Sequence, residues 1–406
     1  MKIFISCGEP SGDLHAASLI RALRRRIPSA EFVGFGGPRM AEAGGTLLYP
    51  LVDLAVMWIA HVLRNLHVFI GLLRRADRYF AEERPDAVVL IDYPGFNWQL
   101  ARRAKAAGIP VFYFVPPQIW AWAGWRVEKV RKFVDHVLCA LPFEADWYRE
   151  RGVEGAHYIG HPYFDELATR VLDEQFLAEQ RSRPGRVVAL LPGSRMQEVE
   201  RNFPMMIRAA AALAPRRSDA RFVVACLDDR RLARCAELLA AEPAAAGLPI
   251  ELYAARTPEL IRLADVCWAV SGSVSLELMA EALPTVIVYK MGAAHLRLAR
   301  KMLQVRYITL VNLLAGRELM PEYATSGDAS AEMARHATDW LGDEAERRRV
   351  SDELAALRDR FAAPGATDRA AETIARLVAP APTAPRGPHR PMRVPASRDD
   401  RLEHAG

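Results

Sequence analysis

The chain has 406 residues, of which 51% are hydrophobic, and its 54 Lys and Arg against 49 Asp and Glu leave a net charge of only +5. This length can bury two cores of ordinary size, whereas the small net charge excludes a nucleic-acid-binding surface of the usual strength. Five scattered cysteines without a Cys-x-x-Cys pair argue against a disulfide framework and a zinc site, which indicates a reducing compartment. No secretory signal precedes the first predicted strand, so we expect a cytoplasmic protein.

Short apolar runs alternate with segments of helical periodicity, which predicts an α/β fold with parallel sheets. A charged stretch at residues 167–184 separates two such series, so we expect two Rossmann-like domains, residues 1–175 and 184–338, facing each other across a cleft. Helices are predicted at residues 339–378, and the tail of residues 379–406, rich in Pro, Arg and Ala, is predicted to be disordered. The predicted strands cover residues 2–7, 31–34, 87–91, 111–115, 136–140, 157–159, 187–191, 222–226, 250–252, 266–270 and 285–289.

The loop after the first predicted strand, Gly-Glu-Pro-Ser-Gly-Asp at residues 8–13, opens a helix. Its glycines allow a ligand to approach the backbone closely, but their spacing is not that of a dinucleotide-binding loop, so a nicotinamide enzyme is not expected. Asp13 suits the N-cap of this helix. His15, in the first turn, either faces the cleft or is hydrogen-bonded into its surroundings.

Residues 54–80 mix large apolar side chains with His, Asn and Arg. The segment is too interrupted to span a bilayer, for which about twenty mostly apolar residues are needed. Two interpretations stay open. The helix is buried in the N-terminal core, or it also offers an apolar strip and an arginine cluster to an anionic membrane surface.

The predicted strand at residues 87–91 ends at Asp92, which is followed by Tyr-Pro-Gly-Phe-Asn. Ligands of open parallel sheets bind beyond the carboxyl ends of the strands, so Asp92 is the expected catalytic base, although these residues are also good turn formers. Asn97 follows at helix-start spacing. After the next strand, Trp120 and Trp122 either stack on a sugar ring or anchor the two domains to each other.

Two loops of the second series, Leu-Pro-Gly-Ser-Arg at residues 191–195 and Ser-Gly-Ser-Val-Ser-Leu-Glu at residues 271–277, each follow a predicted strand and open a helix. Backbone N–H groups at a helix start bind anions, Arg195 adds a cation, and Glu277 is placed to accept hydrogen bonds from a ribose diol. Either loop alone is typical of an ordinary turn, but together they predict a nucleotide diphosphate site. No Asp-x-Asp pair occurs in the chain, so neither a metal nor another cofactor is expected.

In their order along the chain, these motifs resemble the lipid-A-disaccharide synthase family of GT-B glycosyltransferases. The resemblance covers residues 1–378 and rests also on residues 54–57, 117–122, 141–144, 159–162 and 312–318. It implies an inverting transfer from UDP-2,3-diacylglucosamine to 2,3-diacylglucosamine 1-phosphate, with release of UDP, by a protein bound peripherally to the cytoplasmic face of the inner membrane. Pro10, Trp58 and His61 depart from the family pattern near the acceptor side, which leaves the acyl-chain preference open.

We expect Asp92 to act as base and Arg195 to stabilise the departing diphosphate. For Asn312, spacing alone equally fits the cap of a helix that begins near Leu313. Alternative functions are another enzyme of this architecture, such as a UDP-sugar epimerase, and a catalytically silent UDP-sugar-binding protein. The oligomeric state stays open, with a homodimer among the alternatives. The residues expected to bind substrate are Gly8, Glu9, Ser11, Asp13, His15, Asn97, Gln118, Ser194, Ser273, Glu277 and Asn312.

Overall fold

The computed structural model describes residues 1–55 and 66–378. Strands β1–β13 span Lys2–Cys7, Glu31–Phe35, Thr46–Tyr49, Ala87–Ile91, Val111–Phe114, His136–Cys139, Ala156–Tyr158, Arg186–Leu191, Ala220–Cys226, Ile250–Ala254, Val266–Val270, Thr285–Lys290 and Glu322–Thr325. In the same residues, helices α1–α19 span Pro10–Arg26, Pro38–Glu42, Leu51–Ala55, Leu66–Glu82, Pro94–Ala106, Ile119–Trp122, Val127–Phe133, Pro142–Arg149, Tyr163–Thr169, Glu174–Arg181, Met196–Leu213, Asp229–Ala241, Thr257–Leu263, Val274–Ala280, Ala293–Met302, Leu310–Ala315, Ser330–Gly342, Glu344–Phe361 and Ala366–Val378.

The strands form two parallel sheets, which confirms the predicted fold class. The first sheet has the order β3-β2-β1-β4-β5-β6-β7 and the second has the order β10-β9-β8-β11-β12-β13. Neighbouring strands pair in parallel in both sheets, for example β1 with β4 and β8 with β11. The winding direction reverses between β1 and β4 in the first sheet and between β8 and β11 in the second. In open parallel sheets these reversal points are where ligand crevices form.

All eleven predicted strands are present, with ends that differ by at most two residues. The two strands that the sequence analysis missed, β3 and β13, each lie at one edge of a sheet. Their residues are exposed or only partly buried, in contrast to the fully buried residues of central strands such as β4 and β11. An edge strand pairs on one side only, and its sequence is correspondingly less constrained.

The central strands are buried on both faces. In β1, Ile3 and Ile5 pack in the cluster that contains Ile374 of the last helix, while Phe4 lies in the opposite cluster with Phe80 of α4. The last helix, α19, therefore packs with α1 against the first sheet, although it follows the second sheet in the chain. The sequence analysis did not foresee this return, and the predicted domain limits at residues 175 and 184 stay predictions.

Helix α4 settles part of the open question about residues 54–80. Phe69, Leu72 and Phe80 are buried in the first domain, whereas Leu66 and Ile70 are 52% and 42% exposed. Residues 56–65, with Trp58 and His61, and the tail of residues 379–406 lie outside the described residues. None of the helices in residues 1–55 and 66–378 combines the length and the apolar composition that crossing a bilayer requires.

Candidate active site

Four loops lie at the two points where the strand order reverses. In the first sheet they are residues 8–9, after β1, and residues 92–93, after β4. In the second sheet they are residues 192–195, after β8, and residues 271–273, after β11. Each loop contains residues that were expected to bind substrate or to act in catalysis, so the parallel topology brings the expected residues of each domain to one edge of its sheet.

Asp92 stands directly after β4 in a left-handed backbone conformation, with a φ of 48°. Residues other than glycine rarely adopt this conformation unless surrounding contacts hold it, and such residues often occur at functional sites. The contacts here reach the main chain, because the carbonyl oxygen of Asp92 accepts hydrogen bonds from Asn97 Nδ2 at 2.7 Å and from the Tyr113 hydroxyl at 2.8 Å. These two bonds hold the turn through the main chain of Asp92, so they do not depend on its carboxylate.

Asn97 has a different role from the substrate contact that was expected. Its side chain is completely buried. The amide nitrogen donates to the carbonyl oxygen of Ile91 at 3.2 Å as well as to that of Asp92, and Oδ1 accepts a 2.8 Å hydrogen bond from the Ser6 hydroxyl. Asn97 thus ties the end of β4 to β1 and shapes the turn that carries Asp92.

Asp92 and Glu9 of the first domain interact electrostatically with Arg195 of the second domain. Burial raises the pKa of Asp92, and a hydrogen bond from the Tyr93 backbone and the positive charge of Arg195 partly offset this rise. Burial and the negative charge of Asp92 raise the pKa of Glu9, and the positive charge of Arg195 opposes part of this rise. Arg195 of the second domain therefore lies within electrostatic reach of two carboxylates of the first. A carboxylate with a raised pKa is a stronger base than an ordinary one, which suits proton abstraction by Asp92.

The glycine-containing loop after β1 packs closely against the Asp92 turn. A Cβ on Gly8 would overlap the ring of Tyr93, so the loop requires glycine at this position for packing. Glu9 is the N-cap residue of α1, and Pro10 occupies the first helical position, where proline is favoured. Ser11 is exposed in the first turn of the same helix.

Asp13 does not cap α1, and its buried carboxylate binds backbone N–H groups of another segment. Its side chain is 2% exposed, and its carboxylate accepts three 3.0 Å hydrogen bonds from backbone N–H groups. The donors belong to Gly37, Arg39 and Met40, at the beginning of α2. Both expectations for Asp13 are therefore corrected, because its role is to anchor a second helix to the first.

His15 lies in the first domain near the ring of Phe114, with 6.3 Å between the ring centroids. Burial lowers its pKa to about 4, against a small opposing effect of Asp165, so the imidazole is neutral at neutral pH. His161 is nearby, because its pKa is lowered first by burial and then by the positive charge that His15 would carry if it were protonated. His15 is therefore suited to hydrogen bonding as a neutral ring and not to pairing with a phosphate as a cation.

Trp120 is an anchor between the domains. It is 4% exposed and shares a cluster with Val305, Leu310 and Leu313 of the second domain, and its indole N–H donates to buried Glu144 at 2.8 Å. Of the two alternatives for this loop, the anchoring role is therefore correct for Trp120. Gln118, by contrast, is exposed immediately before α6 and keeps its side chain available for a ligand.

The N–H donors of the loop after β8 are not free to bind an anion, because they are bonded to a carboxylate of the protein. The backbone N–H groups of Ser194 and Arg195 both donate to Glu198 Oε2 at 3.1 Å, and Arg195 Nη1 donates to Glu198 Oε1 at 3.0 Å. The carbonyl oxygen of Ser194 accepts a 2.6 Å hydrogen bond from Arg231 Nε. Glu198 thus occupies the donors that were expected to bind a diphosphate, and the sequence analysis did not identify it.

A cavity of about 530 Å³ lies between the loops after β8 and β11. This volume is in the range of small-molecule sites. Ser194 and Arg195 line it on one side and Ser273 and Glu277 on the other, so the pairing of the two loops holds in three dimensions. Leu227, beyond β9, contributes an exposed apolar side chain to its wall.

Glu277 is 5% exposed, and residues from another part of the chain fix its carboxylate. Tyr163 donates to Oε2 at 2.7 Å, and Arg170 donates to Oε1. Both donors also line the cavity, and both were missed by the sequence analysis. The signal in the sequence is the motif of residues 159–162, which ends directly before Tyr163.

Asn312 corrects both interpretations that were open for it. The helix begins at Leu310 with Thr309 as its N-cap, and Asn312 is completely buried inside the helix. Its Oδ1 accepts from the N–H groups of Leu319 and Met320, while Nδ2 donates to the carbonyl oxygen of Met320 and to Glu322 Oε2. Its side chain holds the segment that leads into β13, and the cap of this helix is the Thr309 hydroxyl, which accepts from the backbone N–H of Asn312.

Comparison with known proteins agrees with this geometry. The family model described as lipid-A-disaccharide synthetase matches residues 3–373. The chain belongs to the lipid-A-disaccharide synthase family. Its relatives include the lipid-A-disaccharide synthase of Anaeromyxobacter sp. strain K, 38% identical over 374 residues, which are 92% of this chain and 96% of that protein. The enzyme of Myxococcus xanthus strain DK1622 is 37% identical over 387 residues, 93% of this chain and 98% of that protein. Membership makes the chain a glycosyltransferase of lipid A biosynthesis.

Solved structures show the same fold at low sequence identity. The Staphylococcus aureus MnaA–UDP complex superposes with a TM-score of 0.66 at 12% identity, covering 93% of this chain and 96% of that one. UDP-GlcNAc 2-epimerase from Neisseria meningitidis bound to UDP-GlcNAc gives 0.63 at 11% identity, with 93% and 100% covered. MurG from Acinetobacter baumannii gives 0.55 at 14% identity, with 92% and 99% covered. The GT-B arrangement of the family is thus shared with glycosyltransferases and epimerases.

Proposed function

We propose that this chain transfers the sugar of UDP-2,3-diacylglucosamine to 2,3-diacylglucosamine 1-phosphate, with inversion at the anomeric carbon. One observation carries the proposal. A carboxylate with a raised pKa, Asp92, lies within electrostatic reach of a cation, Arg195, that lines a cavity of nucleotide size. Glycosyl transfer needs a group that takes a proton on one side of the anomeric carbon and a group that stabilises negative charge on the other.

In this mechanism the acceptor hydroxyl loses its proton to the Asp92 carboxylate as its oxygen bonds to the anomeric carbon of the donor. The bond from that carbon to the diphosphate oxygen breaks on the opposite face, and its electron pair leaves with UDP. Arg195 and the exposed loop of Gly272 and Ser273 would stabilise the departing charge. Attack and departure on opposite faces give inversion and the β(1→6) linkage that the family resemblance implies.

The donor nucleotide would occupy the cavity between the loops after β8 and β11. Glu277 supports a ribose contact because, within residues 1–55 and 66–378, each of its carboxylate oxygens accepts one hydrogen bond, which leaves a further lone pair for a ligand. Tyr163 and Arg170 would keep this carboxylate oriented. The residues of the first domain, above all Glu9, Ser11 and Gln118, would then face the acceptor.

We also propose that the protein binds the cytoplasmic face of the inner membrane through α4. Leu66, Ile70, Arg74 and Arg78 recur at intervals of four residues, so they share one face of this helix, and all four are exposed. An apolar end followed by cations suits an anionic bilayer surface. Acylated substrates would be collected there.

A second exposed surface supports the same location. Trp122 and Trp125 are 38% and 65% exposed, and Leu298 and Met302 on α15 are 56% and 44% exposed. The two groups are neighbours, because the N–H of Gln304 donates to the carbonyl oxygen of Ala121 at 2.8 Å. Residues 291–317 contain no acidic residue, which favours an anionic partner for this surface.

The direct test is to incubate the purified protein with both acylated sugars and to search for the disaccharide 1-phosphate and UDP by mass spectrometry. Deacylated acceptor is the control for recognition of the acyl chains. A parallel reaction with UDP-GlcNAc alone tests the epimerase alternative. No disaccharide from the acylated pair, or epimerised sugar from UDP-GlcNAc, would refute the proposal. Analytical ultracentrifugation of the same sample would distinguish a monomer from a homodimer, which the sequence leaves open.

A further inference from the structure

Glu198 holds the loop of residues 192–195, which lines the cavity after β8. Its side chain is 11% exposed, and its two carboxylate oxygens accept from different donors. Oε2 accepts from the backbone N–H groups of Ser194 and Arg195, whereas Oε1 accepts from the Arg195 guanidinium. Gly193 makes this possible, because its φ of 120° allows the loop to fold over the side chain, and a Cβ on Gly193 would overlap Cβ of Glu198.

Three carboxylates interact with the charge of this one guanidinium. Glu198 bonds directly to Arg195, while Glu9 acts on Arg195 across the cleft and Asp92 responds to its charge. The Arg195 side chain is nevertheless 75% exposed toward the cavity that it lines. A diphosphate that binds there needs the same guanidinium donors that Glu198 Oε1 uses.

We infer that Glu198 is a positioning residue that holds the Arg195 guanidinium until the donor diphosphate replaces it, and that it thereby weakens the binding of UDP. The inference rests on the proposed function, because it assumes that Arg195 contacts the diphosphate. The physical reason is competition between two anions for one cation. After transfer, Glu198 provides the partner to which Arg195 returns, so the product UDP leaves more readily than from an unopposed arginine.

The two oxygens allow the competing role to be separated from the structural one. In Glu198→Gln the carbonyl oxygen can keep the hydrogen bonds of the two backbone N–H groups, whereas the amide nitrogen faces the guanidinium and cannot accept from it. The helix cap is kept and the competition is removed. Glu346→Gln is the matched control, because Glu346 also pairs with an arginine three residues away, Arg349, in the first turns of a helix outside the cavity.

The experiment is isothermal titration calorimetry of the full chain with UDP, in the wild type, Glu198→Gln, Arg195→Ala and the double variant. We expect Glu198→Gln to lower the Kd of UDP by roughly three- to tenfold, with the inhibition constant of UDP in the transfer reaction falling equally. In the Arg195→Ala background the same change should alter the Kd by less than about twofold, because the competition acts through Arg195. Glu346→Gln should leave the Kd unchanged.

Three outcomes overturn the inference: an unchanged or raised Kd in Glu198→Gln, an equal tightening in the Arg195→Ala background, or an equal tightening in Glu346→Gln. If Arg195→Ala alone leaves UDP binding unchanged, the proposed role of Arg195 fails first, and the two failures are thereby distinguished. Should the melting temperature show that Glu198→Gln does not fold, Glu198→Asp serves in its place. It keeps the charge but is too short to reach both the backbone and the guanidinium, so it should also tighten UDP binding.

Discussion

Asp92→Asn is the substitution that examines the proposed chemistry most directly. Asparagine has nearly the same shape but cannot accept the acceptor's proton, so we expect kcat to fall by a factor on the order of 10² to 10⁴. The fold should not change. The hydrogen bonds that hold this turn reach the carbonyl oxygen of residue 92, at 2.7 Å from Asn97 and 2.8 Å from Tyr113, and both survive the substitution. Asparagine also tolerates the left-handed conformation at φ 48° better than most residues.

The assay compares kcat, the Kd of UDP and the melting temperature of the variant with those of Asp77→Asn. Asp77 is an exposed aspartate on α4 that pairs with Arg103, so it controls for the loss of one surface charge. The melting temperature of Asp92→Asn should stay within about 2 °C of the wild type, because only a partly exposed side chain changes. UDP should bind at least as tightly, since a negative charge near Arg195 has been removed.

The pH dependence gives a second readout. The reactive form of Asp92 is the carboxylate, and burial raises its pKa above the ordinary value of an aspartate. Activity of the wild type should therefore be lost as the pH falls through this raised pKa, at a higher pH than an unperturbed aspartate would give. In Asp92→Asn the residual activity should lack this acid limb. Near-normal kcat in the variant, or an acid limb that persists unchanged, would remove Asp92 from the mechanism.

Further substitutions test the leaving group, the buried amide and the membrane surface. Arg195→Ala should weaken UDP binding by about 1.5 to 3 kcal/mol in calorimetry, because a charge-assisted contact is lost. EDTA should leave wild-type activity intact. Activity that depends on added Mg²⁺ would contradict this account of the leaving group. Asn312→Asp loses two donors in the core and brings a carboxylate to Glu322, so its melting temperature should fall by roughly 5 to 15 °C, whereas normal stability with lost activity would restore a substrate role. Leu66→Ser with Ile70→Ser should release the protein from anionic vesicles in a sedimentation assay without unfolding it, while Phe69→Ser should unfold it; a double variant that still co-sediments would refute the α4 surface.

The sequence determined the parallel α/β architecture because strands covered on both faces must be continuously apolar, and those runs are visible along the chain. It also predicts where the site lies. Residues that follow strands in parallel sheets collect at the carboxyl edge, so Asp92 and Arg195 could be selected from their positions after β4 and β8. The edge strands β3 and β13 carried no such signal, because they are only partly buried.

Only the tertiary structure decided which polar residues are structural. Asp13, Asn97 and Asn312 look like site residues in the sequence, yet each is buried with its side chain hydrogen-bonded to other residues of the protein. Asp13 accepts from the backbone of residues 37–40, Asn97 joins Ser6 to the end of β4, and Asn312 bonds to residues 319–322. A motif indicates that a polar residue is needed at a position. It does not indicate whether that residue binds a ligand or a group of the protein that becomes its neighbour only on folding.

The same reason explains the residues that were missed. Tyr163 and Arg170 contact Glu277, although more than a hundred residues of chain separate them. Glu198 contacts the loop donors only because the loop folds over it at Gly193. The return of α19 to the first sheet is likewise a property of packing, since its apolar stripe fits any complementary surface and the sequence does not say which. Periodicity fixes which face of an element is buried, and long-range contacts alone fix the surface against which it is buried.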